Sequence, residues 1–456
     1  MKIYKLILKG WKAFLSGFHT VFEWASFYKT ILFYIGLLCP KKVYPQTDVK
    51  KKYGIVICAR NERLVIGNLI DSIRAQTYDP DLLTIFVVAD NCTDNTADIC
   101  REKGCVVYER HDPDHARKGW AMEFLFEKIR AEYGIDAFDG YVVFDADNLL
   151  HPTFMEELNK AFVATNDSIV VGYRNTKNFD QNFISAGYGI HFIRSVVSYH
   201  RPRGFLGTST HIAGTGYVIP SRLVMDGWHY TCLTEDTEFT MNSVAAGEFV
   251  AFCEDAEFYD EQPYQVRVMA RQRMRWTKGR LFAFFSTFPR LFMGIFKRKG
   301  IRQRFSCYDM IMYCFPNSVY HGLRELVFPA LQWAITYAVT WMIGNAAGVA
   351  ENAATADKNP VTALALFAAI ATPIVRLVWT FLKNALKGGL IVLREYKHIH
   401  CKPWKLVLYT FLFPWFDLIG GPLSIMALFS TTQWKPIKHD AAISIDQLMN
   451  KEDEEK

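Results

Sequence analysis

From residue 53 to residue 260 the chain alternates strand-like apolar runs with stretches of helical period. Gly54-Ile55-Val56-Ile57-Cys58-Ala59 is apolar throughout and stops at Arg60-Asn61-Glu62. Leu83-Thr84-Ile85-Phe86-Val87-Val88-Ala89 stops at Asp90, and Val106-Val107-Tyr108 and Tyr141-Val142-Val143-Phe144 repeat the pattern, the last ending at Asp145. Between them, residues 65–76 and a stretch running through Asp98-Ile99-Cys100 read as helices. Strands that are apolar along their whole length are buried on both faces, so the alternation predicts an α/β domain with a mainly parallel sheet covered by helices. Such sheets bind ligands at the carboxyl ends of their strands. The acidic clusters are expected at such ends, which makes them site candidates on pattern alone.

The pattern differs at both termini. Lys2, Lys5, Lys9 and Lys12 precede a mostly apolar stretch that reaches Cys39 and is interrupted by His19, Glu23 and Lys29. It is too long and aromatic for a cleavable signal peptide. It predicts membrane anchoring as a tilted span, a helical hairpin or an interfacial helix. Residues 281–304 predict an interfacial helix. Residues 327–349 and 361–382 are each about one bilayer long, with an acidic stretch between them that suits an outside loop. Residues 406–430 form a third run broken by Pro414, Asp417 and Gly420-Gly421-Pro422, readable as a kinked span or a re-entrant hairpin. The acidic end, residues 451–456, predicts disorder. The expected organisation is an anchoring segment at 1–45, the α/β domain at 46–265, a basic aromatic segment at 266–305, a membrane region at 306–432 and a tail at 433–456.

Composition narrows the class. The 456 residues are 50% hydrophobic and 15% aromatic, with a mean hydropathy of +0.03. That is too apolar for an ordinary soluble enzyme and too polar for an all-helical transporter. The net charge of +6 is uneven, with Lys and Arg crowded into residues 2–12, 40–52, 267–304 and 383–405. These patches abut apolar runs, which marks the cytoplasmic side of a membrane rather than a nucleic-acid surface. The ten cysteines show no C-x-x-C or Cys/His metal spacing, as suits reduced thiols in the cytosol.

Four motifs carry the chemistry, in this order: Asp90-Asn91-Cys92-Thr93-Asp94, Asp145-Ala146-Asp147, Thr234-Glu235-Asp236 and Gln272-Arg273-Met274-Arg275-Trp276. Carboxylates at a strand end suit Mg²⁺ or Mn²⁺, which take few protein oxygens and keep phosphates as partners; an Asp capping a helix near Pro152 is the plainer reading. Asp94 and Thr96 read as a turn and helix cap, and Thr234 as a helix cap. Spacing places Gln272, Arg275 and Trp276 on one helix face.

In motif order from residue 53 to residue 276, and more loosely beyond, the chain resembles the membrane-embedded family 2 glycosyltransferases, the synthases of cellulose, chitin, hyaluronan and poly-N-acetylglucosamine. The resemblance implies a GT-A catalytic domain of Rossmann-like type, cytoplasmic and tied to a multi-pass plasma-membrane region. It implies that Ala59, Glu62 and Asp90 line the nucleoside, that Lys118 stands near the diphosphate, and that Asp145 and Asp147 hold Mg²⁺ or Mn²⁺. Asp236 is then the general base and Glu235 its positioning neighbour. Gln272 and Arg275 face the diphosphate, and Trp276 is a platform for the acceptor sugar. The small-residue loop with Gly214, Thr215 and Gly216 is expected at the acceptor. Trp434-Lys435-Pro436-Ile437-Lys438-His439 is either a loop reaching the active site or an interfacial Trp. The expected activity is inverting transfer of a hexose from a UDP-sugar, UDP-N-acetylglucosamine or UDP-glucose, to a growing β-linked polysaccharide, processive and coupled to export with membrane lipids and an export subunit as partners. The alternatives are a single addition to a lipid acceptor and a catalytically inactive export scaffold.

Overall fold

The computed structural model describes residues 2–328, 331, 360–431, 437 and 439–455. Its centre is one eight-stranded sheet built from β1 (Tyr53–Ala59), β2 (Leu83–Asp90), β3 (Val106–Arg110), β4 (Gly140–Asp145), β5 (Leu149–Leu150), β6 (Ile169–Thr176), β7 (Tyr217–Pro220) and β8 (Val250–Asp260). The order is β3-β2-β1-β4-β7-β6-β8-β5. The pairs β1–β2, β1–β4, β2–β3 and β6–β8 are parallel; β7 runs antiparallel to β4 and β6, and β5 to β8. The sheet is therefore mixed and mostly parallel, the Rossmann-like GT-A arrangement. Two apolar cores cover its faces, one around Val56, Phe86 and Tyr141, the other around Ile55, Ile57 and Phe144.

The expected strands and helices are present, with ends that differ by one or two residues. The helix expected at 65–76 is α3 (Ile66–Arg74), after α1 (Lys2–Ser26) and α2 (Tyr28–Leu38) at the N-terminus. Along the catalytic region follow α4 (Thr96–Glu102), α5 (Lys118–Glu132), α6 (Phe154–Ala164), α7 (Phe183–Ser195), α8 (Arg201–Leu206) and α9 (Glu235–Ala246). The helix near Pro152 begins at Phe154 with Thr153 as its N-cap, so neither Asp145 nor Asp147 caps it. The expectation that every acidic cluster ends a strand holds for Asp90 and Asp145 but not for Glu235-Asp236, which opens α9. Three acidic residues in a first turn are electrostatically favoured there.

The Q-x-x-R-W segment and residues 281–297 of the expected interfacial helix form one continuous helix, α10 (Val266–Lys297), which ends there, so the last expected residues, 301–304, open the next helix. α10 buries Gly279, Ala283, Thr287, Leu291 and Gly294 and exposes Phe282, Phe285, Phe292 and Phe296. Then come α11 (Ile301–Cys314), α12 (Asn317–Gly322), α13 (Pro360–Arg394), α14 (Pro403–Leu418) and α15 (Gly420–Phe429). Among the described residues two stretches are long and apolar enough to cross a membrane, Ser16–Leu38 and Pro403–Phe429. The second is broken at Ile419, where α14 gives way to α15. The expected span at 327–349 lies outside the described residues apart from Val327, Phe328 and Leu331. Against the expectation of disorder, the chain ends in a helix, α16 (Ile445–Glu455), whose Ile445 and Leu448 pack on Leu149 and Tyr259. Those apolar partners exist only in the folded sheet, so the acidic composition alone could not show them.

Candidate active site

Ala59, Asp90 and Asp145 end three adjacent parallel strands, β1, β2 and β4, and so stand side by side on one edge of the sheet. β7 runs the other way, so the loop before it, including Gly214, returns to the same edge. One cavity of 530 Å³ follows this edge and reaches Gln272, Arg275 and Trp276 on α10.

At one end of the cavity the buried Asp90 carboxylate is held by two guanidinium groups. Arg110 donates to Oδ1 at 2.7 Å, and Arg60 pairs with Oδ2 while its Nε donates to the Asp90 carbonyl at 2.8 Å. Glu62 is fixed from two sides. Its backbone N–H donates to Thr96 Oγ1 at 2.9 Å, and His439 Nδ1 lies 3.0 Å from both its carboxylate oxygens. Thr96 in turn is bonded to Asp94 Oδ1, so the expected turn also positions Glu62, while the N-cap of α4 is Asn95, without a side-chain cap bond. Burial works against the His439 cation, but Asp147 and Glu62 raise its pKa to about 10. Ile437 and His439 line the cavity; Trp434, Lys435, Pro436 and Lys438 lie outside the described residues.

In the middle, Lys118 pairs with Asp145 and donates to the Gly214 carbonyl at 2.8 Å. Burial opposes ionisation of Asp145, yet Lys118 holds its pKa below the usual carboxylate value. The buried Asp147 accepts the Glu261 N–H at 3.0 Å and meets the carboxyl of Asp260, which burial and the charges of Asp147 and Asp145 push up to about 7 against the pull of Arg174. Two carboxyl groups in contact need a proton or a cation between them. Among the described residues no three His, Cys, Asp or Glu side chains form a ready-made metal cage. Asp145 and Asp147 with their hard oxygens still fit Mg²⁺ or Mn²⁺, ions that take one or two protein carboxylates and complete their shell from phosphates.

Beyond Asp145 stand Glu235 and Asp236. Burial raises both, and the charge of Asp236 helps bring Glu235 to about 7. Lys118 and Arg275 pull the other way on both. Gly214 has a φ of +89°, and a Cβ there would stand 3.9 Å from Asp236 Oδ2. Thr215 and Gly216, expected at the acceptor, lie behind the cavity wall. Thr215 Oγ1 accepts the Asp145 N–H at 2.9 Å and bonds Asn148 at 2.5 Å. Gly216, at φ +68°, backs onto the Phe258 ring, which a Cβ would strike at 2.0 Å. Both residues thus hold the Asp145 loop in place.

Gln272, Arg275 and Trp276 all face the cavity, as their spacing requires. Gln272 Oε1 is buried without a hydrogen-bond partner, and Arg275 has no ion pair among the described residues. Trp276 packs edge-on to Tyr188 and parallel to His191. The structure adds Arg60, Arg110, Arg174, Asp260, Glu261 and Arg280 to the residues that line or brace the site. Arg174 and Asp260 lie at the ends of β6 and β8, where the strand-end rule would have found them had those strands been recognised.

The chain is similar to known proteins in sequence and in fold. The model of "Glycosyltransferase like family 2" matches residues 51–279. A probable glycosyltransferase, YdaM, of Bacillus subtilis is 27% identical over 263 residues, 55% of this chain and 60% of that protein. The low-salt glycan biosynthesis hexosyltransferase Agl6 of Haloferax volcanii is 32% identical over 87 residues, 19% of this chain and 20% of its own length. The chain therefore spans less than two thirds of both relatives. Among solved structures, a mannosyltransferase from Pyrobaculum calidifontis in complex with GDP-Man and Mn²⁺ superposes with a TM-score of 0.46 at 17% identity, covering 85% of this chain and 98% of that one.

Proposed function

We propose that this chain, which belongs to the family 2-like glycosyltransferases, transfers a hexose from a UDP-sugar, UDP-N-acetylglucosamine or UDP-glucose, with inversion and with Asp236 as the general base. The observation that carries the reading is the single cavity that joins the Ala59–Glu62–Asp90 end, the Lys118–Asp145–Asp147 centre and the Glu235–Asp236 pair to Gln272, Arg275 and Trp276.

The roles are those the family resemblance implies, and the shared cavity supports them. Glu62 and Asp90 bind the nucleoside, both already held in place by Thr96, Arg60 and Arg110. Lys118, Gln272 and Arg275 face the diphosphate, and the unpartnered Arg275 guanidinium suits an oxygen-rich anion. Asp145 and Asp147 hold Mg²⁺ or Mn²⁺, which when bound neutralises charge on the leaving diphosphate. Asp236 removes the acceptor hydroxyl proton, and the acceptor oxygen then attacks the anomeric carbon from the face opposite the departing UDP. A buried carboxylate with a raised pKa is a stronger base than an exposed one. Trp276 offers its ring to the acceptor.

The apolar stretches Ser16–Leu38 and Pro403–Phe429 support a membrane location, and the basic runs that abut apolar segments support the cytoplasmic side for the catalytic domain. The order of the four motifs supports a growing β-linked polysaccharide as acceptor, with export and its partner subunit as the further expectation. A lipid acceptor is the second reading, favoured by the cationic, helix-lined far end of the cavity. The test is UDP release by the detergent-purified chain with Mn²⁺, each donor offered separately. The expected result is release with one donor and its loss on chelation; no release with either donor contradicts the reading.

A further inference from the structure

α7 turns one face to the main cavity. His191, Arg194 and Ser195 line it, and Ser198 joins them one turn on, the i, i+3, i+4, i+7 spacing of a helical stripe. His191 also lines a second, smaller cavity of 120 Å³ between α7, α10, α14 and α15. Its ring lies nearly parallel to that of Trp276, at 20° and 6.4 Å between centroids. His191 therefore stands where the two cavities meet, beside the indole assigned to the acceptor sugar.

The two ring nitrogens of His191 are not equivalent. Nδ1 lies 2.9 Å from Arg194 Nη2, and a guanidinium only donates, so Nδ1 accepts. Burial and the charges of Arg194, Arg273, Arg280 and Arg174 keep the ring from taking a second proton. The single ring proton is therefore on Nε2, which makes no hydrogen bond among the described residues. Arg194 is itself held by an ion pair with Asp417 on α14. Its charge is neutralised within the fold, so the stripe offers the cavity a neutral N–H and hydroxyl groups. Neutral donors beside a flat aromatic ring suit a sugar, whose ring face packs on the indole while its oxygens accept hydrogen bonds.

We propose that His191 is an acceptor-binding residue whose Nε2–H donates to an oxygen of the sugar lying on Trp276, and that Arg194 and Asp417 are positioning residues that fix the tautomer it needs. The inference rests on the reading of Trp276 as the acceptor platform. It gives the apolar stretch Pro403–Phe429 a part in the reaction, since Asp417 lies within it and sets the imidazole from behind through Arg194.

The test uses the full chain in detergent with Mn²⁺ and the donor it turns over. The acceptor probe is the methyl β-glycoside of that donor's sugar, with UDP affinity and a thermal melt measured alongside. In wild type the glycoside should raise UDP release saturably. His191→Phe keeps the ring and removes the donor; it should raise the acceptor KM about tenfold, with the loss in KM rather than in kcat. His191→Gln carries an amide N–H where Nε2 stood and should keep KM within about threefold of wild type. His191→Asn reaches only the place of Nδ1 and should behave like the Phe variant. The Gln and Asn pair decides the matter if the melt shows that His191→Phe does not fold. UDP affinity should stay within about twofold of wild type throughout. Asp417→Asn should raise KM in the same direction and add nothing in the His191→Phe background. Equal KM values for the Gln and Asn variants, an unchanged KM in a folded His191→Phe, or no response of wild type to the glycoside with UDP release intact overturns the proposal. Independent effects of Asp417→Asn and His191→Phe overturn the positioning part. These failures leave the transferase reading standing; absence of metal-dependent UDP release in wild type removes that reading and this proposal with it.

Discussion

Glu235 and Asp236 share one buried turn, and their protonation is shared as well. Burial raises both, and the pair titrates with Glu235 near 7. A base must be unprotonated to act, so turnover should rise with pH along an acidic limb lying above the usual carboxylate range and then level off. Glu235→Gln removes one of the two charges and should move that limb to lower pH; a pH–rate profile of both proteins checks it, and an unmoved limb would mean that the pair is not what titrates. At this scale much of the site could be read from the chain. Asp90, Asp145, Glu235, Asp236, Gln272, Arg275 and Trp276 all reach the cavity. What could not be read is who holds whom. Arg60 and Arg110 close on Asp90 from the ends of two different strands, and His439 reaches Glu62 across 377 positions. Thr215 and Gly216 looked like acceptor residues because small residues allow close approach, but what approaches Gly216 is the Phe258 ring.

Elements set these residues in register by close backbone packing. Gly119, which follows Lys118 at the start of α5, sits against the loop that leads to α9. A Cβ there would meet the Tyr230 carbonyl oxygen at 2.3 Å and Thr231 Cα at 2.8 Å, backbone atoms that cannot rotate away. Gly119→Ala should therefore destabilise the protein by about 1–3 kcal/mol and displace Lys118 from Asp145, with a drop in UDP release. A thermal melt and the release assay measure the two effects; a variant matching wild type in both would show that the contact relaxes without consequence. The first four strands were legible because each contains a run of consecutive apolar residues. β8 was not, because Glu254-Asp255-Ala256-Glu257 reads as a loop. The strand tolerates these charges because Glu254 pairs with the buried Arg201 and Glu257 with Asn175 and His398. Such partners are distant in sequence and leave no local trace.

The helices around the sheet are tied together by buried polar pins. Arg203 on α8 makes a two-pronged pair with Asp309 on α11 at 2.6 and 2.8 Å, and Tyr28 on α2 donates to the same carboxylate at 2.6 Å. The tail is tied in too, since Glu261 accepts the amides of Asp440 and Ala441 at 3.0 and 3.2 Å. The acidic centre has an opposite effect on stability. Glu235 and Asp260 both titrate near 7 when folded, above the usual carboxylate range, so the stability they contribute is full below about pH 4 and is lost as pH rises through 7. Mn²⁺ should restore part of that loss, raising the melting temperature more at pH 8 than at pH 6 and losing this effect in Asp147→Asn; an equal shift in the variant would put the ion elsewhere. The central claim is that Asp236 does chemistry in this cavity rather than holding it together. The most direct measurement sets donor turnover beside UDP affinity in Asp236→Asn. Turnover should fall about a thousandfold while UDP affinity stays within about threefold of wild type; turnover close to wild type, with UDP still bound, would contradict the account.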